Sequence, residues 1–257
     1  PNGDLVAGGD FANADGVPAS RVARWNGAAW VALGTGMTAA LGGGSPSVLA
    51  LHVMPDGALI AGGNFIAVGT ASAYNVARWD GASWSGLGPG LNSQVSTLTV
   101  LPGGNLLAGG SFTQVTGGAS VNRVARWDGS AWYPMSTGFN GMVSSVLALP
   151  NGTVAATGSF TLAGSATVNR VALWDGASWT SLGTGLNNAG AAQALRPNGE
   201  LVVGGSFSSA GAVAAQFIGR WKNGAWGPLS EGLVNLGSDF GTVLALMPLR
   251  NGDLVVG

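Results

Sequence analysis

The stretch NRVARWDGSAWYPM, residues 122–135, places two tryptophans five positions apart around an Asp-Gly pair. Near-copies begin at Ser20, Tyr74, Asn169 and Gln216, so the chain contains five copies. A residue type that is confined to a repeat serves the repeated structure first. We therefore predict that the indoles pack between successive repeats, although some could instead stack a ligand. The predicted structural tryptophans are Trp25, Trp30, Trp79, Trp84, Trp127, Trp132, Trp174, Trp179, Trp221 and Trp226, which are all ten in the sequence.

A second marker, PNGDLVAGGDF at residue 1, sets the length of the repeat. Related segments begin at residues 55, 102, 150 and 197, with a truncated one at residue 250, which gives spacings of 54, 47, 48, 47 and 53 residues. Most copies contain two adjacent glycines, which remove side chains where another backbone or a large ring must come close. The predicted structural glycines are Gly8, Gly9, Gly62, Gly63, Gly109, Gly110, Gly204 and Gly205.

Each period contains four strand signals, and helical periodicity is absent. In the third repeat we predict strands at 95–101, 105–112, 122–127 and 131–135, with tight turns after the first and third strands. Side-chain alternation predicts that Arg123, Ala125 and Trp127 share one face of the sheet. Repeats of about 50 residues with this content indicate an all-β chain, a β-propeller of four-stranded antiparallel blades.

The whole chain, residues 1–257, is predicted to be a single β-propeller domain. The segment at residue 1 is predicted to be the second strand of its repeat. The segment at residue 250 follows the five copies as an additional strand. We therefore expect an incomplete view of a ring with six or more blades. The alternative is a five-bladed ring whose tail docks on a neighbour. Because the chain begins inside a repeat, without an initiator Met or a signal peptide, we expect a fragment or a processed product.

The repeat resembles the kelch repeat of β-propellers. The resemblance lies in the double glycine, an aromatic-Asp pair that ends the third strand, and a Trp five residues beyond that aromatic residue. Departures are Thr157 in place of the first glycine, Asn26 and Lys222 in place of the Asp, and Trp where kelch repeats usually carry Tyr. The resemblance covers essentially the whole chain and implies the propeller fold. It leaves the function open, because kelch-like propellers include binding scaffolds and a few oxidases.

The composition excludes several classes of partner. Charged residues are 8% of the chain and the formal net charge is -1, so nothing attracts nucleic acid or an anionic membrane. No apolar run reaches the roughly 20 residues that span a bilayer, so no membrane insertion is expected. Cysteine is absent, which excludes disulfides and thiolate sites. Low charge without cysteine fits an exported protein, secreted or on the cell surface.

Groups that could perform catalysis are few. His52 is the only histidine and lies in a predicted first strand, where we expect a structural role. Asp4, Glu200 and Asp253 follow turn glycines in separate repeats, and we interpret them as solvated groups beside the turns. The Tyr, Cys and His ligands of kelch-like copper oxidases cannot be assembled, because only Tyr74, Tyr133 and His52 are available. We predict no cofactor, no metal site and no enzymatic activity.

Arginines directly precede the first tryptophan in four repeats, and Leu173 replaces the arginine in the other. A second set lies three residues earlier. Because carboxylates are scarce, we predict that most of these guanidinium groups bind backbone carbonyls of the adjacent blade. The alternative is a ring of anion-binding sites, which Leu173 would interrupt. The first set is Arg24, Arg78, Arg126 and Arg220, and the second is Arg21, Arg123 and Arg170.

Strand order places the tight turns at one edge of each sheet, the turn edge, and the longer connections after strands two and four at the other, the top edge. Two insertions, residues 37–47 and 231–241, fall in top-edge connections and are small and polar. Function concentrates in variable loops on a rigid scaffold. We therefore predict a non-enzymatic extracellular scaffold or adhesion module that binds a protein partner through its top-edge loops. The alternatives are a carbohydrate-binding lectin and the non-catalytic domain of a larger secreted enzyme.

Overall fold

A computed structural model describes residues 3–229, 233 and 241–257. Contacts divide the chain into two compact units, Pro1–Pro134 and Met135–Gly257, and each is described by itself. The described residues form strands and turns, with one short 3-10 turn at Leu41–Gly43 and no α-helix. The predicted all-β class is therefore confirmed. The assignment of residues 1–257 to one propeller domain stays a prediction.

The N-terminal unit contains three antiparallel blade sheets, numbered 1 to 3 along the chain. Sheet 1 comprises Leu5–Gly8, Val22–Trp25 and Trp30–Ala32. Sheet 2 comprises Ser47–Val53, Leu59–Asn64, Val76–Trp79 and Trp84–Gly86. Sheet 3 comprises Val95–Val100, Leu106–Gly110, Val124–Trp127 and Trp132–Pro134. Neighbours in sequence are neighbours in each sheet, as the four strand signals predict.

The C-terminal unit repeats this arrangement in two four-stranded sheets, numbered 4 and 5, followed by a hairpin. Sheet 4 comprises Val143–Ala148, Val154–Gly158, Val171–Trp174 and Trp179–Ser181. Sheet 5 comprises Gly190–Leu195, Leu201–Gly205, Ile218–Lys222 and Ala225–Pro228. The terminal hairpin comprises Leu246–Pro248 and Leu254–Val256.

The third strand of each sheet begins later than the sequence predicts. In sheet 3 it begins at Val124, because Asn122 and Arg123 have φ angles of 31° and 71°. The placement of Arg123 on the same strand face as Ala125 is therefore wrong, since a left-handed residue breaks the alternation. The residue at this position is left-handed in all five repeats: Arg21, Asn75, Arg123, Arg170 and Phe217.

The connections between the second and third strands contain small hairpins that were not predicted. Strands of two residues are too short to give a periodic sequence signal. In the third repeat the hairpin is reduced to a bridge between Gln114 and Ser120. The other hairpins pair Asn13–Ala14 with Val17–Pro18, Ala67–Val68 with Ala71–Ser72, Leu162–Ala163 with Ala166–Thr167, and Ser209–Ala210 with Val213–Ala214.

The two predicted insertions have different outcomes. The insertion at residues 37–47 contains the strand Met37–Ala39, which pairs with Ala67–Val68 of the following repeat. The same kind of link recurs as single bridges, for example between Leu91 and Val115 and between Leu186 and Ala210. The insertion at residues 231–241 lies outside the described residues except for Leu233 and Gly241.

The first glycine of three predicted pairs, Gly8, Gly62 and Gly204, lies where the following segment comes close. A Cβ atom at Gly62 would lie 2.6 Å from Val95 Cγ1, and Gly8 and Gly204 face Val48 and Val243 in the same way. Val48 and Val95 lie at the start of the first strands Ser47–Val53 and Val95–Val100, and Val243 precedes the terminal hairpin. Contacts at this distance are excluded in closely packed protein interiors. The glycines therefore set how closely successive repeats can pack.

Sheets 4 and 5 satisfy the same constraint with the two side chains exchanged. Thr157 replaces the first glycine and is fully buried, while Gly190 replaces the valine that faces it. A Cβ atom on Gly190 would overlap the hydroxyl of Thr157. That hydroxyl donates a hydrogen bond to the backbone carbonyl of Arg170, 2.7 Å away.

This exchange predicts a compensating double mutant. Gly190→Val alone overpacks the contact, and Thr157→Gly alone removes buried atoms and a hydrogen bond, so each should destabilise by about 1–3 kcal/mol. The double mutant recreates the Gly-Val pair of the other repeats. We expect a favourable coupling energy of about 1–3 kcal/mol in a double-mutant cycle of urea unfolding. Additive effects of the two substitutions would show that the pair does not join the repeats.

Candidate functional site

The paired indoles lie against the preceding repeat within each unit. Ring centroids within a pair are 5.3 to 5.7 Å apart. The second indole of the pair is buried in four repeats, and its Nε1 donates to a backbone carbonyl of the repeat before. These bonds are Trp84 to Leu33 at 2.7 Å, Trp132 to Leu87 at 3.1 Å, Trp179 to Met135 at 3.2 Å and Trp226 to Leu182 at 2.8 Å.

The first indole of the pair also lies against the preceding repeat in three cases, Trp79, Trp127 and Trp221. A Cβ at Gly34 would lie 3.0 Å from Trp79, and one at Gly88 would lie 2.7 Å from Trp127. Both glycines have positive φ and follow the fourth strand of the repeat before. The structural role of the ten tryptophans stays a prediction, which stability measurements can test.

Removal of one indole N–H donor should lower the free energy of unfolding. Trp132→Phe keeps an aromatic ring but removes the indole donor, which leaves the Leu87 carbonyl with only the longer bond from the amide of Gly90, 3.3 Å away. We expect a loss of about 2–4 kcal/mol in the free energy of unfolding, measured by urea denaturation. Tyr133→Phe, at a neighbouring residue that is 42% exposed, is the matched control and should change stability little. Equal stability of the Trp132→Phe variant and the parent would contradict a stabilising role for the bond.

Three of the arginines beside the first tryptophan pair with carboxylates of their own repeat, so the prediction of carbonyl partners in the adjacent blade is wrong for these three. Arg220 also donates to the Pro228 carbonyl of its own sheet. Arg24 lies 3.4 Å from Asp4, Arg78 lies 2.7 Å from Asp56, and Arg220 lies 3.2 Å from Glu200. Each carboxylate belongs to the turn between strands one and two. The repeat with Leu173 has Thr153 and no acid in that turn. These pairs leave little net positive charge for an anion-binding ring.

Arg126 stands in a repeat that likewise lacks a turn carboxylate. Its guanidinium lies over the ring of Tyr133, 5.3 Å from the centroid. Two arginines of the second set bind carbonyls, as predicted: Arg21 donates to Pro46 and Arg170 donates to Leu186. Asn75, at the equivalent position, donates to Leu91 in the same way.

Glu200 and Asp4 are not the solvated groups that the sequence suggested. Asp4 has a side chain that is 16% exposed, and that of Glu200 is 8% exposed. Arg196 and Lys222 also pair with Glu200, at 2.9 and 3.4 Å. A hydrogen bond from Asn198, followed by the charges of Lys222 and Arg220, lowers the pKa of Glu200. Asp253 is exposed and bonds to Asn251.

The Asp-Gly turns after the third strands are held by their acidic side chains. The Oδ1 atom of Asp128 accepts hydrogen bonds from the amides of Ser130 and Ala131, and those bonds lower its pKa to about 2. Asp80 and Asp175 accept equivalent bonds, which lower their pKa values too. Asn26 makes the same bonds without a charge, to the amides of Ala28 and Ala29.

This geometry predicts the titration of Asp128. Because its pKa lies below the ordinary value of 3.8, the ionised side chain stabilises the fold above about pH 4, and this contribution disappears as the pH falls toward 2. The carboxyl carbon should titrate near pH 2 in an NMR experiment. Asp128→Asn, which copies Asn26, should keep the turn and remove this titration. A carboxyl that titrates near pH 4 would contradict the bonded geometry.

Three asparagines bind the hairpins at the top edge, and this role was not predicted from the sequence. Asn140 Oδ1 accepts from the amides of Thr161 and Leu162 at 2.8 and 2.9 Å, and its Nδ2 donates to Thr161 Oγ1. Asn92 and Asn187 make the same three bonds to the hairpins of the next repeats. The signal was the recurrent GLN, GFN and GLN at residues 90–92, 138–140 and 185–187. These three side-chain amides are thus used within the fold.

Two equivalent cavities open at the turn edge of the N-terminal unit. Cleft A, between sheets 1 and 2, has a volume of about 350 Å³, and cleft B, between sheets 2 and 3, about 300 Å³. Arg24 and Asp4 line cleft A, and Arg78 and Asp56 line cleft B. Four apolar positions also recur: Val6 and Ile60, Leu33 and Leu87, Leu59 and Leu106, and Trp79 and Trp127.

In the residues that the structure describes, the remaining candidate catalytic and metal-binding side chains do not lie together in one site. His52 is partly buried in the first strand of sheet 2, and burial lowers its pKa. Among the described residues, no group of three or more His, Cys, Asp or Glu side chains could hold a metal ion. No helix within the described part of the chain is long and apolar enough to cross a bilayer.

The comparisons with known proteins agree with this fold. Residues 1–26 match a family model described as a domain of unknown function (DUF5122) beta-propeller. No curated protein matches the sequence. The WD40 beta propeller domain of Doa1 superposes with a TM-score of 0.58 at 16% identity, over 92% of this chain and 68% of that one.

Larger extracellular domains from B. thetaiotaomicron are also similar. One, from a hybrid two-component system, gives a TM-score of 0.56 at 12% identity over 96% of this chain and 32% of that one. Another, from a one-component system, gives 0.52 at 10% identity over 99% of this chain and 37% of that one. The chain thus spans about a third of these two domains. The sheets and these similarities together establish the β-propeller fold, whereas the kelch-like assignment stays a prediction.

Proposed function

We propose that the chain is a non-enzymatic extracellular or cell-surface propeller module that binds a protein partner through the top edges of its sheets. The observation that supports this proposal is the exposed hairpin between the second and third strands, which recurs in successive repeats. Their exposed residues are small and mostly uncharged, such as Gly117, Ser120, Gly164 and Thr167. An uncharged surface of this kind suits hydrogen bonding and close contact with a protein.

The asparagine bonds support the same proposal by making the hairpins rigid. Asn92, Asn140 and Asn187 each tie a hairpin to the preceding repeat through three hydrogen bonds. A surface that is ordered before binding loses less conformational entropy when a partner docks. The low charge and the absence of cysteine support the extracellular location.

Site-specific photo-cross-linking tests the proposal. A photoreactive phenylalanine analogue is placed at Ser120 or Thr167 on the hairpins, and at exposed Tyr133 on a fourth strand as the control position. In extracellular material from cells that make the protein, the two hairpin positions should cross-link to the same polypeptide, and position 133 should not. Cross-links from position 133 alone would overturn the top-edge site. A chain that binds glycans on an array and cross-links to no polypeptide would instead favour the lectin.

A further inference from the structure

Clefts A and B have the same design, and they lie at the turn edge, away from the hairpins. Their volumes of about 350 and 300 Å³ fall at the lower end of the range for ligand pockets. A cavity of this size accommodates one side chain more readily than a drug-sized molecule. In cleft B the floor is formed by Ile60, Leu87, Leu106 and Trp127, which all belong to one buried apolar cluster. The floor therefore favours an apolar group.

The mouth of cleft B is polar and half-exposed. Arg78 and Asp56 pair there at 2.7 Å, with side chains that are 36% and 59% exposed. A guanidinium carries five N–H donors and a carboxylate has several acceptor positions, so one mutual contact does not use up either group. A peptide unit supplies one donor and one acceptor. The pair can thus bind the N–H and C=O groups of a polypeptide backbone that passes over the apolar floor.

Two glycine turns keep each mouth open. Gly57 and Gly81 line cleft A, and Gly104 and Gly129 line cleft B. A Cβ atom at Gly81, Gly104 or Gly129 would meet nothing within 4 Å, so the space directly in front of these three residues is free of protein. A chain in extended conformation can approach there without displacing a side chain.

We propose that each cleft takes one apolar side chain of an extended polypeptide, whose backbone hydrogen-bonds to the arginine-carboxylate pair at the mouth. Because the clefts are one repeat apart, a single polypeptide occupies both with two apolar side chains. This turn-edge site goes beyond the function proposed above, which concerns the top edge. A module with both sites could hold two partners together.

Titration of nitrogen-15-labelled protein with simple probes tests the site. N-acetyl-leucine amide supplies one apolar side chain and its peptide groups, and N-acetyl-glycine amide supplies the peptide groups alone. The leucine probe should shift the amide signals of Gly57, Gly81, Gly104 and Gly129, and the glycine probe should not. Peptides with two leucines joined by spacers of about two to ten residues should bind at least tenfold tighter at the best spacing.

Arg78→Leu distinguishes the two clefts within one molecule. Leucine is tolerated at this position, because Leu173 occupies it in the fourth repeat. The variant should lose the leucine-induced shifts at Gly104 and Gly129, keep those at Gly57 and Gly81, and bind the two-leucine peptide no better than the single probe. Arg126→Leu is the matched control, because Arg126 is at the equivalent position in the third repeat and lines neither cleft. This variant should keep the leucine-induced shifts of all four glycine amides.

Several results would overturn the site. These are an absence of shifts with the leucine probes, shifts at Gly104 and Gly129 that survive Arg78→Leu, or the same shifts on addition of glucose alone. Cross-linking from the top-edge hairpins should be unchanged in Arg78→Leu. If the cleft experiments contradict the turn-edge site, the proposed top-edge function is therefore unaffected. If the hairpin positions do not cross-link, the proposal for the clefts is unaffected.

Discussion

We predict that the structure depends on one interaction, the bond from a buried indole to a backbone carbonyl of the preceding repeat. Each blade sheet satisfies its own backbone through strand pairing, but its faces are largely apolar and need a neighbour. The second tryptophan supplies both a large apolar ring and one directed hydrogen bond across the junction. Trp84 and Trp132 do this in the N-terminal unit, and Trp179 and Trp226 do it in the C-terminal unit. A directed bond fixes the position of one sheet on the next, which apolar burial alone does not.

The sequence predicts the sheets well because their signals are local and repeated. Strand alternation, turn glycines and the Trp-Asp-Gly segment each occur within a few residues, and five copies average out exceptions such as Leu173. The left-handed conformation of Arg123 and Arg170 was missed, because arginine carries no signal for it. The two-residue hairpin strands were missed because alternation needs about four residues to be visible. The exchange of Thr157 and Gly190 becomes visible only when strands 33 residues apart in sequence are known to face each other.

The candidate sites were less predictable, since they depend on which side chains meet. Asp4 and Glu200 come fourth in their turns and Asp56 comes second, yet each reaches the arginine of its own repeat. The scarcity of carboxylates in the sequence had suggested backbone partners for those arginines. The clefts arise from two sheets together, so no single repeat indicates them. The asparagines of the top edge were visible as a recurrent motif, but their bonds to the next repeat required the structure.

Hydrogen exchange of the indole N–H groups tests the central claim most directly. If the four buried indoles join the repeats, the Nε1 protons of Trp84, Trp132, Trp179 and Trp226 should exchange as slowly as amides of the second strands, such as those of Leu107 and Val202, which are fully buried. Their exchange should follow unfolding of the whole unit, with the same dependence on denaturant. Exchange within seconds under native conditions, while the strand amides stay protected, would show that the indoles do not join the sheets.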